Sequence, residues 1–227
     1  MTALIGYQTA LLARSQRWLP PFLLYAVLLA IGVQTGRPVL DSLGYAAAVL
    51  LPVTAWLVRI CATQEPAAAR AVVAAAAGPP RAHLAALGAA AVCATGLGVA
   101  GTAVVALVST ARSADDRTPV PLPEAVAAGL LAVAVCVLTG AAVGALCTRP
   151  LLHGRGWSLA ATALAALLAL VTTGSPAKHA VTALVTGSRT GSVRFAWPAL
   201  AGALLLAAAA VAAACALTSR RGSAAPD

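Results

Sequence analysis

Charged residues are scarce in this chain. Six Asp or Glu and fifteen Lys or Arg make up 9% of its 227 residues, whereas soluble domains carry about 25%. Aromatic side chains are also few, at 4%, and hydrophobic residues reach 61%. This balance argues against a soluble globular domain and favours a chain whose main environment is a lipid bilayer.

Charge is almost absent from six long apolar runs, because Arg59 is the only charged residue within them and lies at the end of its run. A membrane-spanning helix needs about 20 such residues, and the runs lack the alternation of barrel strands. We therefore predict an all-α polytopic membrane protein that forms one transmembrane domain over residues 1–227. The predicted spans are residues 18–33, 43–60, 84–108, 125–146, 157–173 and 196–217.

The sequence also lacks the patterns of a catalytic or cofactor site. It has no P-loop, and its single lysine, Lys178, falls in a loop. The five cysteines show no C-x-x-C spacing, and the three histidines fall on different loops on both sides of the membrane. We therefore predict no ATPase site, no cofactor, no metal and no enzymatic activity in this chain itself.

No Asp, Glu, Lys or His is predicted at bilayer depth. An ionisable group persists there mainly because it is used, so its absence weakens a proton-coupled mechanism. A sodium site built from carbonyls and hydroxyls, such as those of Thr172 and Thr173, stays compatible with the sequence. If transport is active, we expect its energy to come from a partner.

The positions of the basic residues predict the orientation of the chain. Segments 1–17, 59–83, 147–156 and 218–227 carry nine of the fifteen Lys and Arg, and the alternate segments carry six together with four acidic residues. By the positive-inside rule, both termini are expected in the cytoplasm. Because this charge is spread over loops on both sides and forms no basic stripe, it does not indicate nucleic-acid binding.

Residues 4–17 predict a helix that lies in the membrane interface. Helical spacing places four apolar residues on one face and leaves Gln8 and the basic residues largely elsewhere. The four apolar residues are Leu4, Tyr7, Leu11 and Trp18. Pro20 and Pro21 would then turn the chain into the bilayer.

The loop between the second and third predicted spans contains its own helix, over residues 64–77. Pro66 suits the first helical position, and Gly78 with the following prolines supplies the stop. Glu65 lies where a negative charge meets the positive end of the helix dipole, and Arg70 projects one turn further on. Such a helix is either a docking surface for a soluble partner or a capped turn that joins two spans.

A second short helix is predicted on the opposite side of the membrane, within residues 174–195. Pro176 marks its start and Gly187 its stop. We expect this helix to cap the external mouth of the domain.

Two glycine patterns fall inside predicted spans. Gly96, Gly98 and Gly101 form a literal G-x-G-x-x-G, but the pattern neither follows a strand nor opens a soluble helix, so it does not predict nucleotide binding. Gly140 and Gly144 form G-x-x-x-G, which lets membrane helices approach closely. Both patterns predict tight helix packing.

Taken in order, these segments resemble the permease subunits of ATP-binding-cassette (ABC) transporters of the type-2 exporter class, particularly the Ala-rich actinobacterial type. The resemblance covers almost the whole chain and depends on the order and spacing of its parts. These parts are the stretch LLARSQRWLPP, six spans with both ends inside, the segment TQEPAAARAVVAAAAGPPRAHL and the segment SPAKHAVTALVTG.

The resemblance implies that residues 64–77 form the coupling helix, which rests in a groove of a separate ATPase subunit. The contact residues would be Gln64, Glu65, Pro66, Ala69 and Arg70. It also implies two ATPase subunits per transporter and a second permease subunit, identical or similar to this chain, in a bacterial plasma membrane. The substrate does not follow from the resemblance, because the spans offer no distinctive polar cluster.

Two further classes of function stay open at the level of sequence. A membrane anchor or assembly protein could use the same cytoplasmic helix only to recruit a partner. A secondary transporter would couple to an ion without an ATPase. An intramembrane enzyme is the weakest of the alternatives, because no nucleophile, base and metal converge at one depth.

Overall fold

The computed structural model describes residues 1–115, 118–147 and 155–222. Over these ranges the chain forms α-helices, and β-bridge pairing is limited to two isolated pairs, Pro38 with Thr110 and Arg112 with Pro119. The predicted all-α fold is therefore confirmed. The helices are α1 Thr2–Ser15, α2 Leu19–Gly32, α3 Val39–Thr63, α4 Ala67–Ala77, α5 Pro79–Val108, α6 Leu122–Cys147, α7 Arg155–Val171, α8 Pro176–Thr190 and α9 Trp197–Gly222.

Helix length separates the predicted spans into two groups. Four described helices, α3, α5, α6 and α9, are long and apolar enough to cross a membrane, and a fifth span arises if α7 and α8, which meet at a bend of 47°, are counted as one. The predicted first span is α2, which has 14 residues and is therefore only about 21 Å long against a hydrocarbon core of about 30 Å. The chain thus has the helices of a membrane protein, and the number of six spans stays a prediction.

Helix α3 lies at the centre of the bundle. It packs against α2, α5, α6, α7 and α8, and fifteen of its 25 residues are buried. Among them, Leu43, Leu50 and Leu57 are almost completely shielded from solvent. Because α3 contacts most of the other helices, a displacement of α3 would also displace those helices.

Glycines bring α6 against α3, as the G-x-x-x-G pattern predicted. A Cβ atom at Gly140 would lie 2.6 Å from the Leu51 carbonyl oxygen, and one at Gly144 would lie 2.7 Å from the Val58 Cβ. No side chain fits at these distances, so the two backbones can approach only because both positions are glycine. The prediction of tight packing is confirmed here.

The second glycine pattern packs only in part. A Cβ at Gly98 would lie 2.5 Å from a Val133 methyl group, and Gly101 faces the ring of Tyr25. Gly96, in contrast, has no heavy atom within 4 Å of its Cβ position. In this G-x-G-x-x-G pattern, two glycines therefore allow close helix packing, and the third lies next to open space.

Backbone hydrogen bonds join the loops at one end of the bundle, which we call the Thr110 end. The Val39 N–H donates to the Thr110 carbonyl at 3.0 Å, and the Thr110 N–H donates to the Arg37 carbonyl at 3.0 Å. The Ala114 N–H donates to the Ser188 carbonyl at 2.9 Å. These bonds fix the start of α3, the end of α5 and the end of α8 relative to one another.

Helix α8 starts at Pro176 as predicted but does not stop at Gly187. It continues to Thr190 and ends at Gly191, which has a φ of 68°. Gly187 is buried within the helix, where a Cβ would lie 2.6 Å from the Ser192 carbonyl oxygen. The predicted stop was wrong because this glycine serves close packing, whereas Gly191 supplies the left-handed backbone that ends the helix.

Candidate functional site

Helix α4 has the local sequence of a short, sharply bounded helix. Pro66 precedes it with φ −57° and ψ 150°, a conformation that the proline ring favours. At its other end Gly78 has a φ of 88°, and its N–H donates to the Ala74 carbonyl at 2.9 Å. The predicted helix over 64–77 is thus confirmed for Ala67–Ala77, while Gln64 and Glu65 lie in the turn before it.

One face of α4 is apolar and exposed. α4 packs mainly against α5, and Val72, at 69% exposure, projects from its open side. Helical spacing of 3.6 residues per turn places the exposed residues on a single face. We call this the α4 face; it consists of Ala68, Ala71, Val72, Ala75 and Ala76.

The turn before α4 is held by hydrogen bonds to α1. The Gln8 side-chain amide donates to Glu65 Oε1 at 2.8 Å. The Gln64 side-chain amide donates to Gln8 Oε1 at 2.7 Å and to the Gln8 carbonyl at 3.3 Å. We call these three residues the tether, and the end of the bundle where they lie is the Glu65 end.

The hydrogen bonds of the tether stabilise the fold because two of its three side chains are buried. Gln8 is 2% exposed and Glu65 is 7% exposed. A buried amide or carboxylate that lost its partner would keep the full cost of leaving water, about 1–3 kcal/mol or more. The tether therefore joins the N-terminal helix to the junction of α3 and α4, across 57 residues of sequence.

Helix α1 turns Gln8 toward the rest of the bundle. Gln8 and Leu12, one turn apart, are the buried residues of α1, and Ile5 contacts α5 at Gly88, whose Cβ position lies 3.2 Å from the Ile5 side chain. Tyr7, on the predicted apolar face, is 42% exposed. The apolar face of α1 and its inward face are therefore different, and the position of α1 in the membrane interface stays a prediction.

The predicted partner-contact residues divide into two groups. Gln64 is half-buried and Glu65 is buried, and both serve the tether, whereas Pro66 is exposed and Ala69 is half-buried. The Arg70 side chain lies outside the described part of the structure. Sequence reasoning did not single out Val72, although the three- and four-residue spacing of the α4 face would have pointed to it.

Within the described ranges, no group of three or more His, Cys, Asp or Glu side chains could hold a metal ion. What the geometry presents instead is an all-helical membrane domain with an exposed apolar helix tied to its core. Comparison with protein-family models, curated proteins and solved structures finds no match for the chain.

Proposed function

We propose that this chain is the membrane permease subunit of an ABC transporter, with ATP hydrolysis in a separate subunit. The observation that carries the proposal is the α4 face. It is apolar and exposed, and it stands between two long apolar helices, α3 and α5. A short helix that presents alanine and valine to solvent is suited to fit a groove on a soluble protein.

The tether supports a mechanical role for this surface. A partner that pushed on α4 would act through Gln64 and Glu65 on both α1 and the end of α3. Since α3 packs against most of the bundle, the force would reach the other spans. In the proposed complex, two ATPase subunits act on two permease subunits, and ATP binding changes access to a pathway between the permeases.

The proposal includes six spans with both termini in the cytoplasm of a bacterial cell, which places the Glu65 end inside and the Thr110 end outside. Ser192 and Ala68 are exposed at opposite ends. We expect a membrane-impermeant maleimide to label S192C in intact cells and A68C only after permeabilisation, with the wild type as the control for its native cysteines. Labelling of A68C in intact cells would contradict the orientation.

The partner is tested by copurification. The tagged protein, extracted gently from native membranes, should bring down a P-loop ATPase that mass spectrometry identifies. In V72D, a charge in the middle of the α4 face would have to lose its water on docking, so we expect at least about tenfold less ATPase to be recovered. V72L keeps the face apolar and should recover the ATPase as well as the wild type.

The outcomes separate the functional classes. Equal recovery of the ATPase by V72D and the wild type would show that α4 is not the docking surface. Recovery of a partner without a nucleotide site, lost in V72D, would favour the membrane anchor. If intact, correctly inserted protein recovers no partner, the secondary transporter becomes the better proposal.

A further inference from the structure

Two arginines lie at the turn between α1 and α2. Arg14 lies in the last turn of α1, and Arg17 follows the end of that helix. Both side chains are exposed, and within the described ranges no hydrogen bond or ion pair engages either guanidinium. We call these two residues the basic pair. Exposed guanidinium groups without a partner are available to bind an anionic group.

Trp18 follows the basic pair and is held in a fixed orientation. Its indole Nε1–H donates to the Ala13 carbonyl at 3.2 Å, and its ring packs edge-on against Phe22, with the ring centroids 5.0 Å apart. The first of these contacts brings the indole against the turn of α1 that carries Arg14. Tryptophan side chains are enriched where lipid headgroups meet acyl chains, so we expect Trp18 to lie at that level.

The surface of α2 continues from Arg17 as an apolar stripe. The Leu19 N–H donates to the Gln16 carbonyl at 3.2 Å, so the turn over residues 17 and 18 runs directly into the helix. From Arg17 onward, exposed residues follow at a spacing of three or four, which places them on one face of the helix. They are Pro20, Leu24, Val27 and Ile31. A guanidinium therefore lies at one end of an aliphatic surface.

The charge at the Glu65 end favours an anionic partner. Arg81 is also exposed there, in the first turn of α5. Among the described acidic residues, only Glu65 belongs to this end, and it is buried within the tether. At the Thr110 end, in contrast, Arg37 lines the same cavity as Asp41. An anion that approaches the basic pair therefore meets no exposed carboxylate of the described chain at this end.

We propose that the basic pair binds the phosphate of an anionic phospholipid of the phosphatidylglycerol type. The guanidinium groups donate charge-assisted hydrogen bonds to the phosphate oxygens, and an acyl chain lies along the apolar stripe of α2. A zwitterionic lipid binds less well because the same arginines repel its cationic group. The stripe favours a lipid over an acidic protein, since it begins at Arg17 itself and needs an aliphatic partner. The site uses neither the α4 face nor an ATPase subunit.

Tryptophan quenching by brominated lipids tests this site in the full chain. Trp18 lies beside the basic pair, whereas Trp197, which is 61% exposed, lies at the Thr110 end. Two single-tryptophan proteins separate the signals: W56F/W157F/W197F keeps Trp18, and W18F/W56F/W157F keeps Trp197. Each is placed in neutral phosphatidylcholine nanodiscs that contain a minor fraction of brominated phosphatidylglycerol or, for comparison, brominated phosphatidylcholine with the same acyl chains.

We expect brominated phosphatidylglycerol to quench Trp18 more strongly than brominated phosphatidylcholine does. An arginine near an anionic lipid contributes roughly a factor of five in affinity, so the pair should enrich the anionic lipid at least about tenfold. The difference should shrink as salt screens the charges. The two lipids should quench Trp197 equally.

Two double variants serve as the test and the matched control. R14Q/R17Q should remove the preference at Trp18, and R37Q/R194Q, which neutralises two exposed arginines at the Thr110 end, should retain it. Native mass spectrometry of the chain with all four tryptophans, titrated with the two lipids, repeats this comparison without tryptophan substitutions.

Three outcomes would overturn the proposal. One is equal quenching of Trp18 by the two lipids, and another is an equal loss of preference in both double variants. The third is reduced recovery of the ATPase by R14Q/R17Q while the lipid preference stays intact, since the basic pair would then bind the partner protein.

Discussion

Replacing Gly140 with alanine is expected to destabilise the domain, and replacing it with valine is expected to prevent its assembly. The added Cβ would lie 2.6 Å from the Leu51 carbonyl oxygen and 2.9 Å from the Thr54 Cβ. The first of these atoms is backbone, so α3 as a whole would have to move. Overpacking of this kind costs about 1–3 kcal/mol, and thermal unfolding of the detergent-solubilised protein measures it.

Gly96→Ala is the matched control for this substitution. It adds the same methyl group to a membrane helix, but no heavy atom lies within 4 Å of the new Cβ. Its melting temperature should stay the same or rise, because alanine favours the helix by roughly 0.5–1 kcal/mol. If G140A and G96A unfolded at the same temperature, the close contact between α3 and α6 would not exist in solution.

Breaking the tether is the second substitution with a large expected effect. E65A leaves the Gln8 amide, which is 2% exposed, without the acceptor that lies 2.8 Å away. We expect a loss of about 1–3 kcal/mol of stability from this unpaired group. Q8A should cost a similar amount, and the double variant should cost less than the sum, since either change alone already breaks the bond.

The functional effect of E65A should differ from that of V72D. The α4 face stays intact in E65A, so the ATPase should still copurify, but the push on α4 would no longer reach α1. We therefore expect the permease to lose its effect on the ATP hydrolysis rate of its partner. E65Q keeps a side-chain oxygen as acceptor, so it should retain both stability and coupling. If the stability losses of Q8A and E65A were additive in the double variant, the hydrogen bond between the two residues would not exist in solution.

The boundaries of α4 could be predicted from the sequence because they depend on local backbone chemistry. Pro66 and Gly78 act on the residues next to them, and the helix forms between them over Ala67–Ala77. The packing of Gly140 and Gly144 was equally accessible, because their spacing alone puts both on one side of α6. Helix ends and glycine spacing of this kind can be predicted from residues that are close together in the sequence.

The role of Gln8 could not be predicted in this way. Its partners Gln64 and Glu65 are 56 and 57 residues further along the chain, and nothing in the spacing of α1 distinguishes an inward glutamine from an exposed one. Gly187 misled for a related reason, because a glycine that ends a helix and a glycine that allows close contact look alike in sequence. Apolar composition also does not show where α2 begins and ends, so the sequence did not predict that this helix has only 14 residues.

The contact between Gly140 and Leu51 divides α3 into two equal halves. Twelve residues separate Leu51 from Val39 at one end and from Thr63 at the other, which gives two arms of about 18 Å each. Pro52, which lacks an N–H for the helix ladder, lies directly beside this point. Because Gly144 lies against Val58 just beyond this point and a hydrogen bond to Thr110 holds Val39 at the far end, we expect a shift of the tether to move α3 and α6 together as one rigid unit.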